Sequence, residues 1–147
     1  YQYETSPRKI RPEYETKRKI IENTKIEKQM TRFDFHFEDD NYIVVVPTTA
    51  QEYIDEAREQ HNCVERSYLS GIINGNYTIV FVREKSNPEK SFITCEIGDD
   101  GKIWQYLKKF NNSVTEPSAL DFKIKYQKYL MKIKILQLYL MVKYIIT

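Results

Sequence analysis

Small, flexible and reactive residues are scarce in this chain of 147 residues, which holds 4 Gly, 5 Pro, 2 Cys, 2 His and 1 Trp. So little glycine and proline excludes collagen-like and most low-complexity classes. Two cysteines, Cys63 and Cys95, cannot supply the disulfide framework of a small secreted protein. The start shows no basic segment leading into an apolar run and small residues, so a reducing cytoplasm is the default location. The chain opens on Tyr1 within a charged segment and reads as part of a longer polypeptide. No membrane span is expected: the longest Lys-free stretch of the apolar tail is Ile135 to Val142, against the about 20 residues a bilayer needs. What is present, 41% hydrophobic and 30% charged residues, suffices for one compact domain with a real core and decorated ends.

The net charge of +2 conceals an internal division. Residues 1–32 carry 9 Lys/Arg against 5 Asp/Glu, residues 33–118 carry 8 against 15, and residues 119–147 carry 6 against 1, giving +4, −7 and +5. A sequence-independent grip on nucleic acid needs a basic surface facing the phosphates. Any such grip is therefore expected from the two ends, with the middle repelling a phosphate backbone. The alternative is that the basic ends are solvated helix faces.

Pro12 suits the first turn of a helix running from Glu13 to about Met30, with a narrow apolar stripe of Ile20, Ile21, Ile26 and Met30. Phe33, Phe35 and Phe37 alternate with polar residues, and Tyr42 to Val46 form a β-branched run, which together predict an N-terminal hairpin. Thr49 with Glu52 is a capping box before a helix through Gln60, and a short helix from Tyr68 to Ile73 stops at Gly75. Strands at Tyr77–Val82, Phe92–Ile97 and Lys102–Leu107, the last two joined by the tight turn Asp99-Asp100-Gly101, predict a three-stranded antiparallel meander. A helical pattern resumes at Ser118. The expected class is α+β, an antiparallel sheet packed against helices. Three regions are expected: a basic extension at 1–32, the domain proper at 33–130, and a tail of Lys, Ile, Leu and Tyr at 131–147.

The segment His61-Asn62-Cys63-Val64 follows a helix and precedes Tyr68, Ile73 and Gly75. Further on come Ile79-Val80-Phe81-Val82-Arg83, then Thr94-Cys95-Glu96-Ile97, then Gln105 and Asn111 or Asn112. In this order the chain resembles the PcfJ-like family over roughly residues 33–130. It departs from that pattern where Glu65-Arg66-Ser67 intervene before Tyr68, and where a glycine usual after the Gln strand is replaced near Lys109 or Phe110. The resemblance implies a protein of conjugative plasmids, integrative elements or phages, of a family named for a plasmid transfer operon. It implies no particular biochemical activity.

Period-two alternation puts Cys95 with Ile93 and Ile97 on one face, reading as core, and Thr94 with Glu96 on the other. Glu96 in mid-sheet needs a partner, and Arg83 at the end of the neighbouring strand is the expected one, either as a fold-fixing ion pair or in a catalytic or binding role. His61 either caps the carbonyls of the preceding helix or acts as general base or ligand, with Glu96 orienting it and Gln105 or Asn111 donating hydrogen bonds to a substrate oxygen. A further reading makes Cys63 a nucleophile activated by His61. His36, His61, Cys63 and Cys95 lack the paired Cys-x-x-Cys spacing of structural zinc, so neither a metal nor a cofactor is expected.

Candidate catalytic residues are thus His61, Arg83 and Glu96, and candidate binding residues Asn62, Cys63, Tyr68, Thr94, Gln105 and Asn111. The leading expectation is an accessory protein of a mobile element, with a polar pocket and basic flanks that contact DNA or a conjugation-machinery protein. The alternatives are a hydrolase or transferase using the same pocket, and a structural protein-interaction module.

Overall fold

A computed structural model describes residues 12–62 and 66–146. The elements run α1 (Pro12–Met30), β1 (Tyr42–Val45), α2 (Ala50–Gln60), α3 (Arg66–Ile73), β2 (Tyr77–Glu84), β3 (Ile93–Gly98), β4 (Ile103–Lys108), a single 3-10 turn over Lys109–Asn111, β5 (Asn112–Ser113) and α4 (Pro117–Ile146). The strands form one antiparallel sheet in the order β1-β2-β3-β4-β5. The protein is α+β.

Local chemistry sets most of these boundaries. Pro12 is the first residue of α1, where its missing N–H is no loss. Thr49 caps α2 reciprocally, its hydroxyl accepting from the Glu52 N–H at 3.3 Å while the Glu52 carboxylate accepts from the Thr49 N–H at 3.1 Å. The β3–β4 turn closes with Gly101 at φ 83, a left-handed conformation that glycine adopts without penalty.

The sheet is covered on both faces. On one, Tyr53 of α2 meets Phe81 edge-on at 5.6 Å and donates its hydroxyl to the Ile79 carbonyl at 2.8 Å. On the other, Phe122 of α4 lies 5.6 Å from Tyr42, and the Tyr106 hydroxyl donates to the Ala119 carbonyl at 2.8 Å. Tyr53, Phe122 and Tyr126 are fully buried, and truncating any one of them to Ala is worth about 3–5 kcal/mol. From α1, Ile26 and Met30 join the same core.

The expected N-terminal hairpin is present in reduced form, the Val44 N–H donating to the Phe37 carbonyl at 2.9 Å and the Asp39 N–H to the Tyr42 carbonyl at 3.0 Å. Residues 33–37 form no strand of their own; the bridge Glu38 to Ile43 links this arm to β1, which also pairs with β2. Two further carbonyls of the arm are satisfied by α4: the Tyr126 hydroxyl donates to Phe35 at 2.7 Å and the Tyr129 hydroxyl to Asp34 at 3.0 Å. Tyrosine hydroxyls thus take over where the short ladder with β1 stops.

Helix α4 extends well past the expected boundary of the domain proper. Leu130 is buried, and Lys134 reaches the Asp99 carbonyl at 3.0 Å and sits over the Phe33 ring. From Ile135 onward its large apolar side chains are exposed. Among the described residues, no helix is long and apolar enough to cross a membrane.

Candidate functional site

Six of the residues singled out in the sequence line one narrow slot on the α2 face of the sheet. Asn62, Tyr68, Thr94, Glu96, Gln105 and Asn111 surround it, over the apolar side chains of Ile79 and Leu107. The register explains why. Glu96 stands opposite Gln105 on β4 and Ile79 on β2, while Thr94 stands opposite Leu107 and Phe81, and directly paired residues share a face. Asn62, just beyond α2, donates its side-chain amide to the Thr94 hydroxyl at 3.2 Å and so ties the helix end to the sheet. Cys63 lies outside the described residues.

Glu96 is the one carboxylate of the slot. It is partly buried, and that desolvation raises its pKa above the ordinary carboxylate range. Among the described residues it makes no ion pair, whereas the other acidic groups drawn into the fold are tied down. Asp39 reaches Lys125 at 3.5 Å, and Glu59 accepts from the Ser91 N–H at 3.0 Å. The Tyr77 hydroxyl near Glu96 also has its pKa raised, chiefly by burial and secondarily by that carboxylate.

Arg83 does not pair with Glu96, which corrects the expected contact. It shares the face but stands four residues along β2 from Ile79, about 13 Å at strand spacing. There it meets Glu56 of α2 at 2.5 Å, the Glu56 side chain being 2% exposed. Burial raises the Glu56 pKa to about 7 despite the opposing pull of the Arg83 charge. Among the described residues, Glu56 Oε2, Arg83 Nε and Gln60 Nε2 are buried without a hydrogen-bond partner, and the nearby Gln60 amide lowers the Glu56 pKa slightly against the effect of burial.

His61 does not line the slot either. It terminates α2 in a left-handed conformation, φ 51, and its backbone N–H, not its imidazole, caps the helix by donating to the Ala57 carbonyl. Its ring stacks on Phe110 with centroids 4.7 Å apart. Phe110 and Asn111 are left-handed as well, at φ 59 and 58. Among the described residues these three are the only non-glycine positions with positive φ, and they meet at one place beside the slot. Such a conformation costs about 1–2 kcal/mol per residue, and this kind of strain gathers at functional surfaces.

Cys95 is fully buried among core side chains on the opposite face, and burial pushes its thiol pKa far up, which makes it inert packing. Two participants escaped sequence reasoning. Glu56 carried a legible signal: it lies on the stripe Tyr53, Glu56, Ala57, Gln60, so an α2 carboxylate had to be buried. Phe110 carried a weaker one, the departure from glycine near that position.

The PcfJ-like family model matches residues 11–119, and the chain belongs to that family. A curated relative, an uncharacterized protein of Listeria innocua, is 40% identical over 73 residues, covering 49% of this chain. The match spans 16% of that relative's length, so the chain corresponds to a small part of it. No solved structure matches the chain.

Proposed function

We propose that this PcfJ-like chain is an interaction module of a conjugative or phage-type mobile element, and that its slot receives a cationic side-chain end from a protein partner. The observation that carries this is Glu96, a partly desolvated carboxylate with no ion pair among the described residues, set among the amides of Asn62, Gln105 and Asn111. A carboxylate in such a place is relieved by an incoming guanidinium or ammonium, and the surrounding amide oxygens accept its remaining N–H groups. The slot measures about 30 Å³, room for a single small group and not for a metabolite. The basic flanks, +4 and +5, add a non-specific attraction towards DNA or an acidic relaxosome surface. The enzyme alternative requires His61 and Arg83 to act with Glu96, and neither lines the slot, so the binding reading takes precedence.

The test is an NMR titration of the chain with the capped amino acids acetyl-arginine amide, acetyl-lysine amide and acetyl-glutamine amide. The expected result is a saturable shift of the Asn62, Gln105 and Asn111 side-chain amides with a cationic probe, absent in Glu96→Gln. Equal response to the glutamine probe, or an undiminished response in Glu96→Gln, would overturn the reading.

A further inference from the structure

A second and wider concavity lies on the other side of the His61–Phe110 stack. Its volume is about 330 Å³, and its walls include Gln60, Lys90, Lys108, Lys109 and Phe110. Residues 33–118 sum to −7, yet three of their 8 Lys/Arg stand around this one groove. One carboxylate stands in the wall, Glu59, which accepts from the Ser91 N–H at 3.0 Å and stays ionised, its pKa lowered chiefly by that bond and also by the Lys109 charge, so the three lysines outnumber it. Lys108 reaches Glu116 at 3.2 Å, while Lys90 and Lys109 have no ion pair among the described residues.

Phe110 supplies the second element. The residue is 60% exposed although His61 covers one face of its ring, the Lys109 ammonium sits 5.6 Å from the ring centroid, and its backbone is held at φ 59, a position glycine would occupy at lower cost. An exposed aromatic ring beside several cations is the pairing that binds bases by stacking and phosphates by charge. A third element is the Gln60 amide, 1% exposed, whose Nε2 lacks a hydrogen-bond partner among the described residues.

We propose that this groove binds single-stranded nucleic acid, with one base against Phe110 and the adjoining phosphates on Lys90, Lys108 and Lys109. A duplex keeps its bases stacked and offers none to Phe110. A phosphorylated peptide would satisfy the lysines but leave the ring unused. The groove makes no use of Glu96 and stands independently of the slot described above.

The experiment measures anisotropy of a short fluorescent oligothymidine with the full chain at low and at physiological salt. The variants are Phe110→Gly, which suits the left-handed backbone, and the surface pair Lys90→Gln with Lys109→Gln. The proposal expects Phe110→Gly to weaken binding roughly five- to a hundredfold, the range for loss of one stacked base. It expects the lysine pair to lower the salt slope by about 1.4, two single-strand phosphate contacts. A duplex of equal length should bind with no dependence on Phe110, and a phosphoserine peptide should compete poorly. Unchanged affinity in both variants assigns any binding to the basic flanks and overturns the groove. Equal Phe110 dependence for duplex, or competition by the phosphopeptide at matched concentration, overturns the strand-specific reading.

Discussion

His61 and Phe110 lie ring on ring at 4.7 Å, and each holds a left-handed backbone, φ 51 and 59, at the end of a different element. The stack joins the end of α2 to the turn after β4, so two strained residues brace each other across the face that carries the candidate sites. Aromatic stacking contributes about 0.5–1.5 kcal/mol, similar to the cost of one such backbone.

That balance makes substitutions at His61 informative. His61→Ala removes the stack and keeps the strain, whereas His61→Gly removes both. The glycine variant should be more stable than the alanine variant by about 1 kcal/mol in urea denaturation. The reverse order would show that the left-handed conformation is not what sets the stability of this corner.

Arg83 and Glu56 form the buried charge pair of the α2 face. Arg83→Ala leaves the Glu56 carboxylate uncompensated and should cost about 3–5 kcal/mol, with replacement of both by apolar residues costing less than the sum of the single changes. Additive losses in a double-mutant cycle would argue that the two act separately.

The same pair sets a pH dependence. The folded pKa of Glu56 is about 7, above the ordinary 4.5, so the folded state holds this proton more tightly than the unfolded chain. Its contribution to stability is complete below about pH 4.5 and is lost as pH rises through about 7, with a limiting slope of about 1.4 kcal/mol per pH unit. Stability of the parent protein should therefore fall relative to Glu56→Gln across this window. Parallel pH profiles for the two proteins would rule Glu56 out as the source.

Trp104 lies against Gly98, where an added methyl group would collide with the indole ring. Gly98→Ala should displace that ring and cost about 1–3 kcal/mol. Trp104 is the one tryptophan of the chain, so its fluorescence reports the displacement directly. An unchanged emission spectrum would mean the indole is not seated there.

Beyond Lys134 the large apolar side chains of α4 are exposed. Truncation after Lys134 should leave a cooperative melt at an unchanged midpoint. Removal of 132–147 should lower it slightly, because the Lys134 contacts with the Asp99 carbonyl and the Phe33 ring go too. Loss of cooperativity on the shorter deletion would make the projecting turns part of the core.

What the sequence made legible was local. The capping box at Thr49 and Glu52, proline opening α1, and glycine in the β3–β4 turn are fixed by chemistry within four residues of themselves. The meander followed from alternation, and alternation also grouped Thr94 with Glu96 and set Cys95 on the core face. The partner of Arg83 was out of reach because it depends on how α2 lies across the sheet, which no strand pattern encodes. The arm at 33–37 alternates like a strand, but whether its carbonyls meet another strand or the hydroxyls of Tyr126 and Tyr129 is decided by tertiary packing.

The edges of the sheet have a bearing on how the protein behaves at high concentration. One flank, β1, is only four residues long and has the arm bridged to it through Glu38 and Ile43. The opposite flank, β5, is reduced to Asn112 and Ser113. β5 covers only Leu107 and Lys108 of β4, and the Gln127 side chain takes the Ile103 N–H, which leaves a short open stretch of β4 between them rather than a long row of unpaired N–H and C=O groups, the template on which sheets join edge to edge into fibrils. The central strands β2 and β3, which are the most apolar and aggregation-prone segments, are thereby screened by short, polar-flanked margins from recruiting further copies.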